Sequence, residues 1–84
     1  MNINIIFFAA IREQLDCGEL TLNLPDKAHK VSDIKMSLMA KGEQWKTVFS
    51  SSTLLTALNQ QMVNDDATID NNDTVAFFPP VTGG

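Results

Sequence analysis

The sequence predicts an α+β fold: a mixed β-sheet with one main helix across one face and an extended C-terminal tail. Three observations carry that prediction. The first and last apolar stretches, residues 2–8 and 74–78, are rich in β-branched and aromatic residues, as strands are. Between them lies one clear helical stripe, with Val31, Ile34 and Leu38 spaced i, i+3, i+7. The chain then ends Phe78-Pro79-Pro80-Val81-Thr82-Gly83-Gly84, stiff almost to its tip. Eighty-four residues give one domain, residues 1–78, followed by a tail, residues 79–84. A chain of that size buries about 60% of its unfolded surface, enough for one small core without a metal or disulfides.

Each element has its own reason. Residues 2–8 alternate, with Ile3, Ile5 and Phe7 on one face and Asn2, Asn4, Ile6 and Phe8 on the other. Ala9 to Asp16 is rich in helix formers, and Gly18 is placed to stop a helix of two turns. Glu19 to Leu24 alternates strictly, turning Leu20, Leu22 and Leu24 inward before Pro25 and Asp26 reverse the chain. Val31 to Lys41 is the main helix; Met39 widens its stripe, Ser32 and Asp33 suit its start, and Gly42 its end. Trp45, Val48 and Phe49 are expected to close over the core in a following turn, with Ser50 to Thr53 as loop. Leu54 to Leu58 and Gln61 to Val63 read as short strands hinged at Asn59 and Gln60. Asp65 to Asp73 is polar turn material, and Thr74 to Phe78 is the last strand.

The resulting order is ββαβββ with short connections. A single helix on one face makes the first and last strands parallel neighbours at the sheet's centre, which is the β-grasp, or ubiquitin-like, architecture. Strand parity then has a consequence. If Ile3, Ile5, Phe7, Val75 and Phe77 face the helix, Ile6, Phe8 and Phe78 point to the uncovered side. Two aromatics would stand exposed near the root of the tail, the mark of a binding patch, unless a loop or Trp45 covers them.

Composition excludes several function classes. Hydrophobic residues at 44% and charged residues at 19% suit an ordinary globule, and no apolar run approaches the ~20 residues that span a bilayer. The start lacks a basic signal-peptide region, so a cytoplasmic location is expected. A net charge of −4 disfavours nucleic acid and anionic membranes as partners. All six bases lie at or before Lys46, whereas Asp65, Asp66, Asp70 and Asp73 cluster later, a solvated turn or a docking surface for a basic partner. Cys17 is alone, so no internal disulfide forms, and neighbouring acids disfavour a reactive thiolate. His29, the only histidine, is expected in a surface loop with no second ligand near it, so no metal site is assigned. No glycine-rich phosphate loop and no activated serine is present, and no bound cofactor is expected.

The tail is the one unusual chemical feature. Proline at 79 ends strand pairing, and each residue before a proline is held extended. Val81 and Thr82 are β-branched and stiff. Six extended residues reach about 20 Å at ~3.3–3.6 Å each. Gly83 and Gly84 carry no side chain and can thread a channel that any Cβ would block. The group presented is the Gly84 carboxylate, an anion at neutral pH and a poor acyl donor until something activates it.

Two segments, Phe7-Phe8-Ala9-Ala10-Ile11-Arg12-Glu13 and Val75-Ala76-Phe77-Phe78-Pro79-Pro80-Val81-Thr82-Gly83-Gly84, closely resemble the family of small, sulfur-carrier subunits of molybdopterin synthase. Leu54 to Gln60 is similar to that family's middle strand. The likeness covers the whole chain; Asp26 to Lys30 is slightly long, and Met36 to Gln44 matches only in pattern. The resemblance implies that a ubiquitin-activating-type enzyme uses ATP to adenylate Gly84. A sulfurtransferase system then converts it to a thiocarboxylate. It further implies that residues Pro79, Pro80, Val81, Thr82 and Gly83 insert with Gly84 into a large subunit. There the sulfur passes to cyclic pyranopterin monophosphate, within a heterotetramer of two small and two large subunits. By the same resemblance Phe8, Phe78 and Arg12 meet the partner. The alternatives are a thiamine-pathway sulfur carrier, which typically lacks the Phe-Phe-Pro-Pro-Val-Thr run, a ubiquitin-like protein modifier, and a plain interaction module.

Overall fold

The computed structural model describes residues 1–27 and 29–80. Alternation makes Asn2–Phe7 a strand (β1) whose Ile3, Ile5 and Phe7 are buried. The elements that follow are α1 (Ala9–Leu15), β2 (Glu19–Asn23), β3 (His29–Lys30), α2 (Val31–Met39), α3 (Glu43–Phe49), β4 (Leu55–Leu58), β5 (Gln61–Val63), β6 (Thr68–Ile69) and β7 (Thr74–Phe78). Five strands form one mixed sheet in the order β2-β1-β7-β4-β5. Its centre is the expected parallel pair, β1 beside β7, with Asn4 opposite Thr74 and Phe7 opposite Phe77. β2 and β4 flank that pair, both antiparallel to their inner neighbours.

The helices cover one face of the sheet. Ile34 and Leu38 of α2 and Val48 and Phe49 of α3 pack against Ile3, Ile5, Phe7, Val75 and Phe77. Phe7 sits at the middle of an aromatic cluster, 5.5 Å from Trp45, 6.1 Å from Phe49 and 6.3 Å from Phe77 between ring centroids. Phe49 meets Phe77 edge to face at 4.9 Å. Each of the buried phenylalanines Phe7, Phe49 and Phe77 contributes roughly 1.5–3 kcal/mol through burial alone, so this cluster fixes where the sheet and α3 meet.

Five expectations are corrected. Trp45, Val48 and Phe49 lie not in a turn but on the helix α3; their i, i+3, i+4 spacing is itself helical. Gly42 begins that helix as its N-cap, at φ 157°, and α2 already ends at Met39. Asp16, in the left-handed conformation, closes α1 in place of Gly18, and an aspartate tolerates that conformation because its short side chain can bond locally. His29 is not a surface residue. It is buried in β3 and its Nε2 lies 2.9 Å from the Pro25 carbonyl oxygen. The stretch expected as polar turn contains β6, which pairs with β3 and buries Ile69 in the core.

The expected turn at Asn59 and Gln60 and the start of α2 have visible causes. Asn59 and Gln60 both take positive φ, 48° and 72°, the backbone of a two-residue hairpin turn. The Asn59 side chain supports it, donating to Asp73 at 2.9 Å and accepting from the Thr74 N–H at 2.9 Å. Asp33 accepts from the Lys30 N–H at 2.8 Å, satisfying one of the free donors where α2 starts. No helix among the described residues is long and apolar enough to cross a membrane.

The burial of Ile69 yields a stability prediction. Ile69→Ala should lower unfolding stability by about 2–4 kcal/mol, whereas Met62→Ala, on an exposed side chain, should change it by less than about 0.5 kcal/mol. Urea titrations of the two variants compare them directly. Equal losses would contradict the placement of Ile69 in the core.

Candidate functional site

Register places a set of apolar side chains on the face the helices leave open. β1, β7, β4 and β5 are aligned so that Ile6, Ala76, Ala57 and Met62 form one row across the sheet. The next row toward the C-terminal end of β7 holds Phe78 opposite Leu55, with Phe8 just beyond the end of β1. Phe8 is the N-cap of α1, in extended conformation, and its N–H still donates to the Phe77 carbonyl at 3.1 Å. That bond holds Phe8 to the sheet although it lies outside β1. Phe8 is 48% exposed while Phe7, one residue earlier, is 1% exposed. Trp45 packs on Phe7 at the opposite face, so it does not cover Phe8 or Phe78.

The other end of the same face is polar. Thr21, Asn4 and Thr74 line up there, and Asn23 pairs with Asn2 at the margin. The Asn2 N–H donates to the Asn71 side chain at 2.7 Å. The open face is therefore split, apolar around the end of β7 and wet at the far end. An apolar patch rimmed in this way suits a protein partner.

Pro79 and Pro80 continue directly from β7. They form one wall of a groove of about 430 Å³ whose other walls are Ala10, Ile11 and Gln14 of α1, Gln44, Thr47 and Val48 of α3, and Ser51, Thr53 and Leu54. Among the described residues no charged side chain lines it. The base of the tail thus rises between two neutral surfaces, the open-face patch and this groove. Arg12 is exposed on α1, one turn after Phe8. Val81, Thr82, Gly83 and Gly84, with the carboxylate on which the chemistry was placed, lie outside the described residues.

The structure brings Phe8, Phe78, Pro79 and Pro80 to one end of the sheet. It adds Leu55, Ala57 and Met62, which sequence reading did not assign to the patch. A signal for them existed. Folding the hairpin about Asn59 and Gln60 pairs Leu58 with Gln61 and so Ala57 with Met62, and parity does the rest. Among the described residues no group of three or more His, Cys, Asp or Glu side chains is placed to hold a metal ion.

Comparison with known proteins bears on the family and the fold. A sequence model of the ThiS family matches residues 5–84. The chain is 35% identical over 82 residues to the molybdopterin synthase sulfur carrier subunit of Haemophilus influenzae, covering 98% of this chain and 99% of that one. Among solved structures it superposes on SAMP1 from Haloferax volcanii with a TM-score of 0.84 at 20% identity, with both chains fully covered. A complex of subunits 1 and 2 of molybdopterin-converting factor from Helicobacter pylori matches with a TM-score of 0.71 at 21% identity, again over the full length of both chains. The structural likenesses bear on the fold, and the ubiquitin-like architecture expected from element order is the one found.

The adjacent phenylalanines give the sharpest test of the split between core and patch. Phe7→Ala should cost about 3–5 kcal/mol of stability, and Phe8→Ala well under 1 kcal/mol, as read by thermal or urea unfolding. A Phe8 variant as unstable as the Phe7 variant would place Phe8 in the core.

Proposed function

This chain belongs to the ThiS family, and on that footing we propose that it is a molybdopterin synthase sulfur carrier working through its C-terminal carboxylate. The observation that carries the reading is the continuity of the central strand β7 with Pro79 and Pro80, in a chain ending in two glycines. The carrier supplies no catalytic group. What it supplies is a held stem, a narrow tip and a surface on which a partner seats.

The carboxylate of Gly84 is unreactive toward sulfur until its oxygen becomes a leaving group. A ubiquitin-activating-type enzyme attaches the carboxylate to the α-phosphate of ATP, releasing pyrophosphate. A sulfurtransferase system then places sulfur on the carbonyl carbon and AMP departs, leaving a thiocarboxylate. The arm, residues 79–84, enters the large subunit of molybdopterin synthase, where the sulfur passes to cyclic pyranopterin monophosphate. Two such deliveries complete the dithiolene, in a heterotetramer of two small and two large subunits.

The stem resists being pulled from its domain because β7 is bonded on both sides, to β1 and to β4. Phe8, Phe78, Leu55 and Met62 form the seat, with Arg12 at its margin. Both the activating enzyme and the large subunit must approach the same tip, and an arm of about 20 Å forces each to lie against this end of the sheet. One patch therefore serves both partners in turn.

Two outcomes test the reading. Co-expression with activating and sulfur-transfer enzymes should raise the intact mass by the difference between sulfur and oxygen, and deletion of Gly84 should abolish that gain without lowering the melting temperature. A ladder of larger conjugates would instead indicate a protein modifier. Phe78→Asp should weaken association with the activating enzyme and with the large subunit by at least about tenfold each, measured by calorimetry; full affinity for either would contradict a shared seat.

A further inference from the structure

Gly18 stands at the head of β2 with no backbone reason to be glycine. Asp16 already closes α1, and Gly42 is the glycine with positive φ among the described residues. What position 18 lacks is a Cβ. A Cβ there would lie 3.1 Å from Arg12 Nε, 3.2 Å from Cζ and 3.4 Å from Nη2. Three guanidinium atoms at nearly equal distance mean that the planar group lies flat across the glycine.

The chain is folded back to bring the two together. The N–H groups of Asp16 and Cys17 both point to the Arg12 carbonyl, the latter at 3.2 Å, which closes the helix and returns the chain beneath the Arg12 side chain. The Gly18 carbonyl then accepts from the Phe7 N–H at 2.9 Å, tying this bed to the core strand. Arg12 is itself fixed relative to the patch, since its N–H points to the Phe8 carbonyl at 3.5 Å. Glu13 and Asp16 share the same shallow depression, yet among the described residues Arg12 makes no ion pair. In a chain of net charge −4 this is a held cation without a partner, one helical turn along the chain from the exposed Phe8.

Resting on the reading that the chain docks on a large subunit around Phe8, we infer that Gly18 is a positioning residue whose missing side chain lets the Arg12 guanidinium lie flat over position 18, one helical turn along the chain from Phe8, set to grip a carboxylate of that subunit. A guanidinium presents a rigid fork that matches a carboxylate with two parallel hydrogen bonds. Ordering it before docking removes part of the entropy that docking would otherwise cost.

Gly18→Val fills the bed, and the absence of a positive φ makes a larger residue admissible there. In the isolated protein, NMR relaxation at the Arg12 Nε–H should report an ordered group that becomes mobile in Gly18→Val, with the melting temperature unchanged. Gly18→Ala, which asks the guanidinium to move by only a few tenths of an ångström, should fall between the two and serves if the valine variant does not fold. With the large subunit, Gly18→Val and Arg12→Ala should each weaken assembly roughly threefold to tenfold, and the double variant should be no weaker than Arg12→Ala alone. A mobile Arg12 Nε–H in the unaltered protein overturns the inference, as does an undiminished effect of Gly18→Val in the Arg12→Ala background. Failure of the unaltered chain to assemble would count against the docking reading instead, and the relaxation measurement still decides on the bed.

Discussion

The parallel pairing of β1 with β7 is the constraint on which the rest depends. It joins residues near the two ends of the chain, Phe7 opposite Phe77, and places both strands at the middle of the sheet. Closing so long a loop costs entropy, although that cost grows only slowly with length. The buried faces of the two strands, Ile3, Ile5, Phe7, Val75 and Phe77, offset it by packing under α2 and α3. Because the last strand is central, whatever follows it leaves from the most firmly held part of the molecule. A tail grown from an edge strand would have no such anchorage.

The same pairing determines what faces a partner. With Phe77 turned to the core, Phe78 must turn outward, and Phe8 is kept beside it by its bond to the Phe77 carbonyl. The patch is thus a by-product of core parity, and a one-residue slip in register would bury the wrong phenylalanine. On this account fold stability and partner recognition are properties of alternate residues on the same strands. Substitutions can therefore address one without the other.

Much of this was legible in the sequence because it rests on period and on special residues. Alternation marks β1 and β2, a run of β-branched and aromatic residues marks β7, and the stripe through Val31, Ile34 and Leu38 marks α2. The errors arose where a local signal had two readings. Gly42 suits the end of one helix equally well as the start of the next, and that ambiguity masks α3 despite the helical spacing of Trp45, Val48 and Phe49. Gly18 suits a helix stop, but Asp16 two residues earlier already closes α1. Ile69 and His29 were misplaced because β3 and β6 are two residues long; pairing between segments so short and so distant in sequence leaves no periodic trace. The contribution of Leu55, Ala57 and Met62 to the patch required the cross-strand register, which no single strand contains.

Sulfur transfer itself decides the central claim. The chain bearing a C-terminal thiocarboxylate should be assembled with a molybdopterin synthase large subunit and supplied with cyclic pyranopterin monophosphate, and dithiolene formation followed as sulfur is consumed. The account predicts product in proportion to the thiocarboxylate loaded, with the chain returned carrying an ordinary carboxylate. A complex that assembles but leaves the thiocarboxylate intact and forms no dithiolene would contradict it.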